Sequence, residues 1–294
     1  MKMGLSKRLG YAMKIFIPAT LANFGPGMQS IGFPLEVGLT IEVGAPTEQW
    51  QVQHPFAATV ATDERNYVVQ IATNLAPQLT PHAVTITSTI PTKQYLGVQD
   101  ALILAGIELA NQLGQLGLDD FTKLTLAART AQQPAHVAAA LLGQPTVSYL
   151  QHGDVYASGF ICPSYTVLLY LPEATMAPQN DAAVAYADAV AVNASGNMLM
   201  AAWQNQQREL AGQLMETDLL QQPAATDNAA LTAIRQASHA LDIYGTVLLE
   251  QGPAIATLVA PEKVQDLIDV LDYVDLPGQF IQLPIGATGI TVVD

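Results

Sequence analysis

A glycine–proline–glycine step between two strand-like stretches sets how the front of this chain must fold. Residues 14–17 and 38–44 are rich in Ile, Val and Thr and are bounded by Gly and Pro, which reads as two β-strands. The segment from Asn23 to Gly32 then has to be the loop between them. Within it, Gly25 and Gly27 allow a tight turn or a close approach to a ligand, and Pro26 stiffens that turn.

The 294 residues suffice for two domains, each with its own core. Half are hydrophobic and only 12% are charged, which suits a compact globule. No run approaches the apolar length of a membrane span, so no membrane partner is expected. Residues 1–12 carry Lys2, Lys7 and Arg8 but lack the apolar centre of a signal peptide. They read as a disordered leader, with Met13-Lys14 as an alternative start. The single Cys162 excludes an intramolecular disulfide and a thiolate zinc cluster, and a cytoplasmic location is expected. The net charge is −14, and between residues 66 and 294 the basic residues are Lys93, Lys123, Arg129, Arg208, Arg235 and Lys263. That is too little for a basic face, which excludes nucleic acid as a partner.

Further along, residues 84–90 alternate as a half-buried strand, Pro91 ends it, and residues 99–113 form an apolar helix. Helices are expected at 119–129 and 135–142. The character changes near residue 163. A strand at 165–171 is followed by helical patterns at 181–216 and 228–242, strands at 246–250 and 255–259, a helix near 262–273 and a closing strand at 289–293. This mixture predicts an α+β fold with domains at 13–162 and 163–294.

Ile17-Pro18-Ala19-Thr20-Leu21-Ala22-Asn23-Phe24-Gly25-Pro26-Gly27-Met28-Gln29-Ser30-Ile31-Gly32 is similar to a motif that reads roughly P-A-T-S-A-N-L-G-P-G-F-D-x-x-G, and in it the chain resembles the opening of homoserine kinases, small-molecule kinases of the GHMP superfamily. The resemblance implies a substrate-binding role for Asn23 and for position 29. The family's Asp is Gln29 here, and an amide supplies no charge for a substrate ammonium. The loop is equally well read as a turn that the fold requires.

The second motif, I-P-L-A-R-G-L-G-S-S-A-A-A-I-V-A-G, corresponds to Ile90 through Gly106. It implies a nucleotide site at Tyr95, Leu96, Gly97, Val98 and Gln99. Tyr95 takes the place of the first Gly, and Val98 and Gln99 replace the paired serines. Asp100 puts a carboxylate in the first helical turn, where it would repel phosphate or simply serve the helix dipole. Asn66 fits a family Asn near the adenine.

The family's E-G-H-P-D-N-V-A-P-A-L-L-G-G corresponds to Ala131 through Gln144. A methyl at Ala131 replaces the carboxylate that would hold Mg²⁺, and the Asp-Asn pair becomes Ala135-His136. His136 reads either as a substrate-binding residue or as a half-buried polar one. Two family arginines map to Ala182 and Ala225, and the S-G-A-G-P-T motif appears as Leu249-Glu250-Gln251-Gly252-Pro253-Ala254.

By resemblance, the first domain is like ribosomal protein S5 domain 2 and the second is ferredoxin-like. A small-molecule ligand is expected in the cleft between them, ATP and Mg²⁺ are the implied cofactors, and a homodimer is the implied assembly. The family phosphorylates L-homoserine in threonine biosynthesis, and the substitutions predict impaired or absent activity. One alternative is an active kinase whose site is rebuilt from Lys93, Asp100, Asp181 and His136. The other is a non-enzymatic metabolite-binding or partner protein. No catalytic residue and no metal ligand is assigned.

Overall fold

The computed structural model describes residues 13–91, 95–173, 184–217, 219–220, 225, 228–249, 252–286 and 288–293. The expected leader at 1–12, and Lys93, Asp181, Ala182, Glu250 and Gln251, lie outside them. Two compact units emerge, each discontinuous in sequence. The first comprises Met1–Leu21, Gly32–Ser158 and Gly286–Asp294, and the second Ala22–Ile31 and Gly159–Ile285.

The first unit is built on a seven-stranded sheet. Strand β1 (Met13–Ala22) is buried over nearly its whole length, and β2 (Ile31–Pro46) runs for sixteen residues with Ile41 and Val43 in the core. A short β3 (Gln51–Gln53) lies parallel to β4 (His82–Ser88). Strand β4 pairs antiparallel with β2, setting Ile41 opposite Ile86 and Val43 opposite Val84. The alternation read at 84–90 reflects this half-covered ladder. A hairpin of β5 (Thr146–Gln151) and β6 (Asp154–Gly159) joins through β2.

Four helices complete the core: α1 (Tyr67–Leu75), α2 (Val98–Leu113), α3 (Asp120–Ala131) and α4 (Pro134–Leu142). Helix α2 buries Ile103, Leu104, Ile107 and Leu109, and its Gly106 admits the Ile71 side chain of α1 too closely for any Cβ. Between α2 and α3 lies a buried ion pair, Lys123 Nζ to Glu108 Oε2 at 2.8 Å. Burial opposes ionisation of Glu108. Hydrogen bonds from Gln112, Lys123 and Asn111 outweigh it and hold the carboxyl below its ordinary range.

The second unit has a four-stranded sheet in the order β10-β7-β9-β8, antiparallel throughout. Its strands are β7 (Thr166–Pro172), β8 (Thr246–Leu248), β9 (Ile255–Val259) and β10 (Gly278–Pro284). The helices are α5 (Tyr186–Gln204), α6 (Arg208–Met215), α7 (Ala229–His239) and α8 (Val264–Leu271). The chain thus alternates as βαββαβ, the ferredoxin-like arrangement. Leu231 and Ile234 of α7 and Leu267 and Leu271 of α8 pack with Leu168, Tyr170 and Ile255 of the sheet.

Two expectations are corrected. The helical pattern at 181–216 is broken after Gln204, where Gln206 turns left-handed (φ 59°) and α6 begins afresh. The closing strand, β11 (Thr291–Val293), was expected in the second domain. It pairs instead with β1, Lys14 opposite Val293, because the edge of β1 is open and periodicity carries no information about which edge a strand will find. Among the described residues no helix is long and apolar enough to cross a membrane.

Candidate functional site

Three of the motifs meet in the first unit. Helix α2 begins at Val98, and its N-cap is Gly97 in the left-handed conformation (φ 64°, ψ 30°) with no side-chain capping bond. Glycine is suited to that conformation because it carries no Cβ. Thr20, near the end of β1, donates its backbone N–H to the Leu96 carbonyl at 3.2 Å. Its hydroxyl lies 2.7 Å from His136 Nδ1 on α4, and both residues are almost fully buried. A Cβ on Gly97 would come 2.5 Å from Thr20 Oγ1 and 2.8 Å from His136 Nδ1. The glycine cap of α2 therefore rests directly on the Thr20–His136 pair.

Around this contact two positions where the resemblance places glycine carry other residues in a left-handed backbone. Tyr95 stands where the resemblance places a Gly, and its φ is 68°. Gln132, also at a motif Gly position, has φ 58° as the C-cap of α3. Two non-glycine residues thus occupy a conformation that costs an L-residue about 1–2 kcal/mol. Leu96 is buried, Val98 is half-buried and Gln99 is exposed. Ala131 packs against the first core, and Ala135 is buried where its carbonyl meets Gly32 too closely for a Cβ. Asp100 sits in the first turn of α2.

Asn66 is accounted for by local structure. It is the N-cap of α1, its Oδ1 accepting from Val68 N at 3.1 Å and its Nδ2 donating to the Ala61 carbonyl at 2.8 Å. Both ends of the amide are engaged in holding the helix start.

The Asn23–Ser30 segment belongs to the second unit. Asn23 (φ 59°) and Gln29 (φ 58°) are both left-handed, and Asn23 Oδ1 accepts from Gln29 N at 2.9 Å. The amide side chain of Asn23 is buried and closes the loop on itself, while Gln29 is exposed. Gly25-Pro26-Gly27 forms a single 3₁₀ turn.

Of the four residues proposed for a rebuilt site, His136 is placed beside Gly97 and Asp100 at the start of α2, while Lys93 and Asp181 lie outside the described residues. Thr20 was not singled out in the sequence, although it is the Thr of Pro18-Ala19-Thr20. Its signal was membership of the motif, and its role needed the long-range contact to appear. Ala225 packs against the second core. Gly252 (φ 77°) donates its backbone N–H to the Leu249 carbonyl at 2.8 Å. Among the described residues no three of His, Cys, Asp and Glu gather as a metal site.

No family model matches the chain. The homoserine kinase of Leuconostoc mesenteroides subsp. mesenteroides is 34% identical over 287 residues, 95% of this chain and 98% of the relative. A candidate homoserine kinase from Listeria monocytogenes has the same fold with a TM-score of 0.86 at 30% identity, covering 96% of this chain and 99% of its own. The mevalonate diphosphate decarboxylase of Staphylococcus aureus, 15% identical, shares the fold alone, with a TM-score of 0.73 over 96% of this chain and 97% of its own. The α+β architecture is thus that of the GHMP small-molecule kinases. The relatives narrow this further, and the chain belongs to the homoserine kinase family.

Proposed function

We propose that this chain keeps the homoserine kinase fold but performs ATP-dependent phosphorylation of L-homoserine poorly or not at all. The observation that carries this reading is the composition of the α2 N-terminus. The backbone cap at Gly97 is present, while the residues beside it are Val98 and Gln99 and the first-turn acid is Asp100. Phosphoryl transfer depends on neutralising and positioning the phosphates. A valine and an amide contribute no hydroxyl, and a carboxylate at the positive end of a helix competes with phosphate for it. Mg²⁺ favours hard oxygen ligands, and at Ala131 the corresponding position holds a methyl group. The donor set among the described residues does not fit the ion.

The acceptor side supports the same reading. Gln29 carries no charge toward an amino-acid ammonium, and its backbone is tied to Asn23. The position of His136 favours a second reading, a working kinase in which this imidazole replaces a lost polar group.

The test is calorimetry of Mg-ATP with L-homoserine present, paired with a coupled assay of ADP release. Expected is silence up to millimolar ligand, with turnover at least about 10²–10³ below that of an intact relative. Turnover in the ordinary kinase range of about 1–100 s⁻¹ overturns the proposal. Loss of that turnover in a His136→Ala variant shown to be folded at the assay temperature, with turnover kept in the equally destabilised Gly97→Ala, would favour the second reading.

A further inference from the structure

The end of α6 is pinched between two left-handed glycines of the second unit. On one side Gly25 (φ 49°) lies so close beneath the Met215 carbonyl that any Cβ there would collide with its oxygen. On the other, a Cβ on Gly245 (φ 110°) would come 2.7 Å from Met215 Cε. Gly212, one turn earlier, is pressed against the Tyr244 backbone, where a Cβ would come 2.5 Å from its carbonyl oxygen. Met215 itself is wholly buried. The last turn of α6 therefore forms a wedge, with the Asn23–Ser30 segment on one flank and the entry to β8 on the other.

The residue after Met215 fastens that wedge. Glu216 is the C-cap of α6, and its side chain is only 10% exposed. Its Oε1 accepts from both Gly245 N and Thr246 N, each at 2.9 Å. Its Oε2 accepts from His239 Nε2 at 2.8 Å and lies 3.9 Å from Arg235 Nε. Arg235 is itself anchored, donating Nε and Nη2 to the Thr246 carbonyl at 3.0 and 2.9 Å. One carboxylate thus joins α6, α7 and the start of β8. Charge-assisted bonds to backbone N–H groups are among the stronger hydrogen bonds in a protein.

We propose that Glu216 is the positioning residue for the Asn23–Ser30 segment, holding Met215 against Gly25 and so fixing the left-handed Asn23–Gln29 turn. Its importance for ligand binding rests on the reading that this segment faces the acceptor. The positioning role does not, since it is present without any ligand.

The test is hydrogen exchange on the full chain, followed by mass spectrometry of peptides covering residues 22–31, 243–248 and 98–113. The Gly27, Gln29 and Ser30 amides are all hydrogen-bonded within the segment, so their exchange reports its order. Glu216→Ala is expected to speed exchange in 22–31 by about tenfold or more and to leave 98–113 unchanged. Glu216→Gln keeps an oxygen for the two amides and is expected to stay within about threefold of the parent chain, whereas Glu216→Met keeps the bulk without the acceptor and is expected to exchange as fast as Glu216→Ala; a Met variant that matches the parent chain would overturn the proposal. Faster exchange confined to 243–248, with 22–31 unmoved, overturns the proposal. Should Glu216→Ala fail to fold, Glu216→Asp keeps the charge but falls short of both amides. Unchanged exchange in 22–31 for that variant overturns the proposal equally. Addition of L-homoserine to the parent chain separates the two claims: protection in 22–31 would overturn the proposed loss of ligand binding, absence of protection agrees with it, and the Glu216 result stands in either case.

Discussion

Thr20 and His136, separated by most of the first unit in sequence, share a buried hydrogen bond of 2.7 Å under the Gly97 cap. Deleting the imidazole leaves the Thr20 hydroxyl without this partner and opens a cavity beneath α2. His136→Ala is expected to lower stability by about 2–4 kcal/mol in urea unfolding, combining a lost buried hydrogen bond with the void. His136→Asn restores the residue type of the family motif and is expected to recover part of that loss. A value under about 0.5 kcal/mol for the alanine variant would show that the pair contributes little.

Gly97 and Gly117 give a matched comparison. Both are left-handed, at φ 64° and φ 62°, yet a Cβ on Gly117 meets nothing within 4 Å. Gly117→Ala is expected to cost only the conformational term of about 1–2 kcal/mol. Gly97→Ala is expected to cost clearly more, because Thr20 and His136 must also move. Equal urea midpoints for the two would mean that the cap is not seated on the pair.

Gln132 offers the reverse case, since its exposed side chain sits at φ 58° on the last turn of α3. Gln132→Gly should stabilise the chain by about 0.5–1 kcal/mol, because glycine is favoured at a left-handed helix end. A lower urea midpoint for the variant would contradict this.

Such positions show what was legible in the sequence. Glycine and proline spacing marked the loop at 23–32, and period-two alternation marked β4, because both signals are local. The family resemblance supplied the fold and pointed to Gly97 and His136. The sequence did not reveal that Tyr95 and Gln132 would keep a left-handed backbone, since neither residue type announces it. Nor did it reveal α1, whose start depends on Asn66 reaching both Val68 and Ala61. Glu216 was invisible for a further reason: its hydrogen-bond partners lie 23 to 30 residues away.

Cys162 and Tyr165 link stability to alkaline pH. Burial pushes the Cys162 thiol up to about 11 and the Tyr165 phenol up to about 12. Above the ordinary thiol value, the unfolded chain releases a proton that the folded chain retains. Stability is therefore fully present below pH about 9 and falls as pH rises toward 11. Urea midpoints measured from pH about 8 to 10.5 should decline, and Cys162→Ser should flatten the thiol part of that slope. The same thiol should react slowly with iodoacetamide at pH about 8 until the chain is denatured.

The pairing of β1 with β11 bears on how the molecule is made. Strand β1 is synthesised long before β11, its neighbour on that edge. Until then the nascent protein carries an open row of backbone donors and acceptors beside a nearly complete apolar core. Synthesis therefore includes a long interval in which this edge is open to pairing with other chains, an interval that a three-residue strand brings to a close.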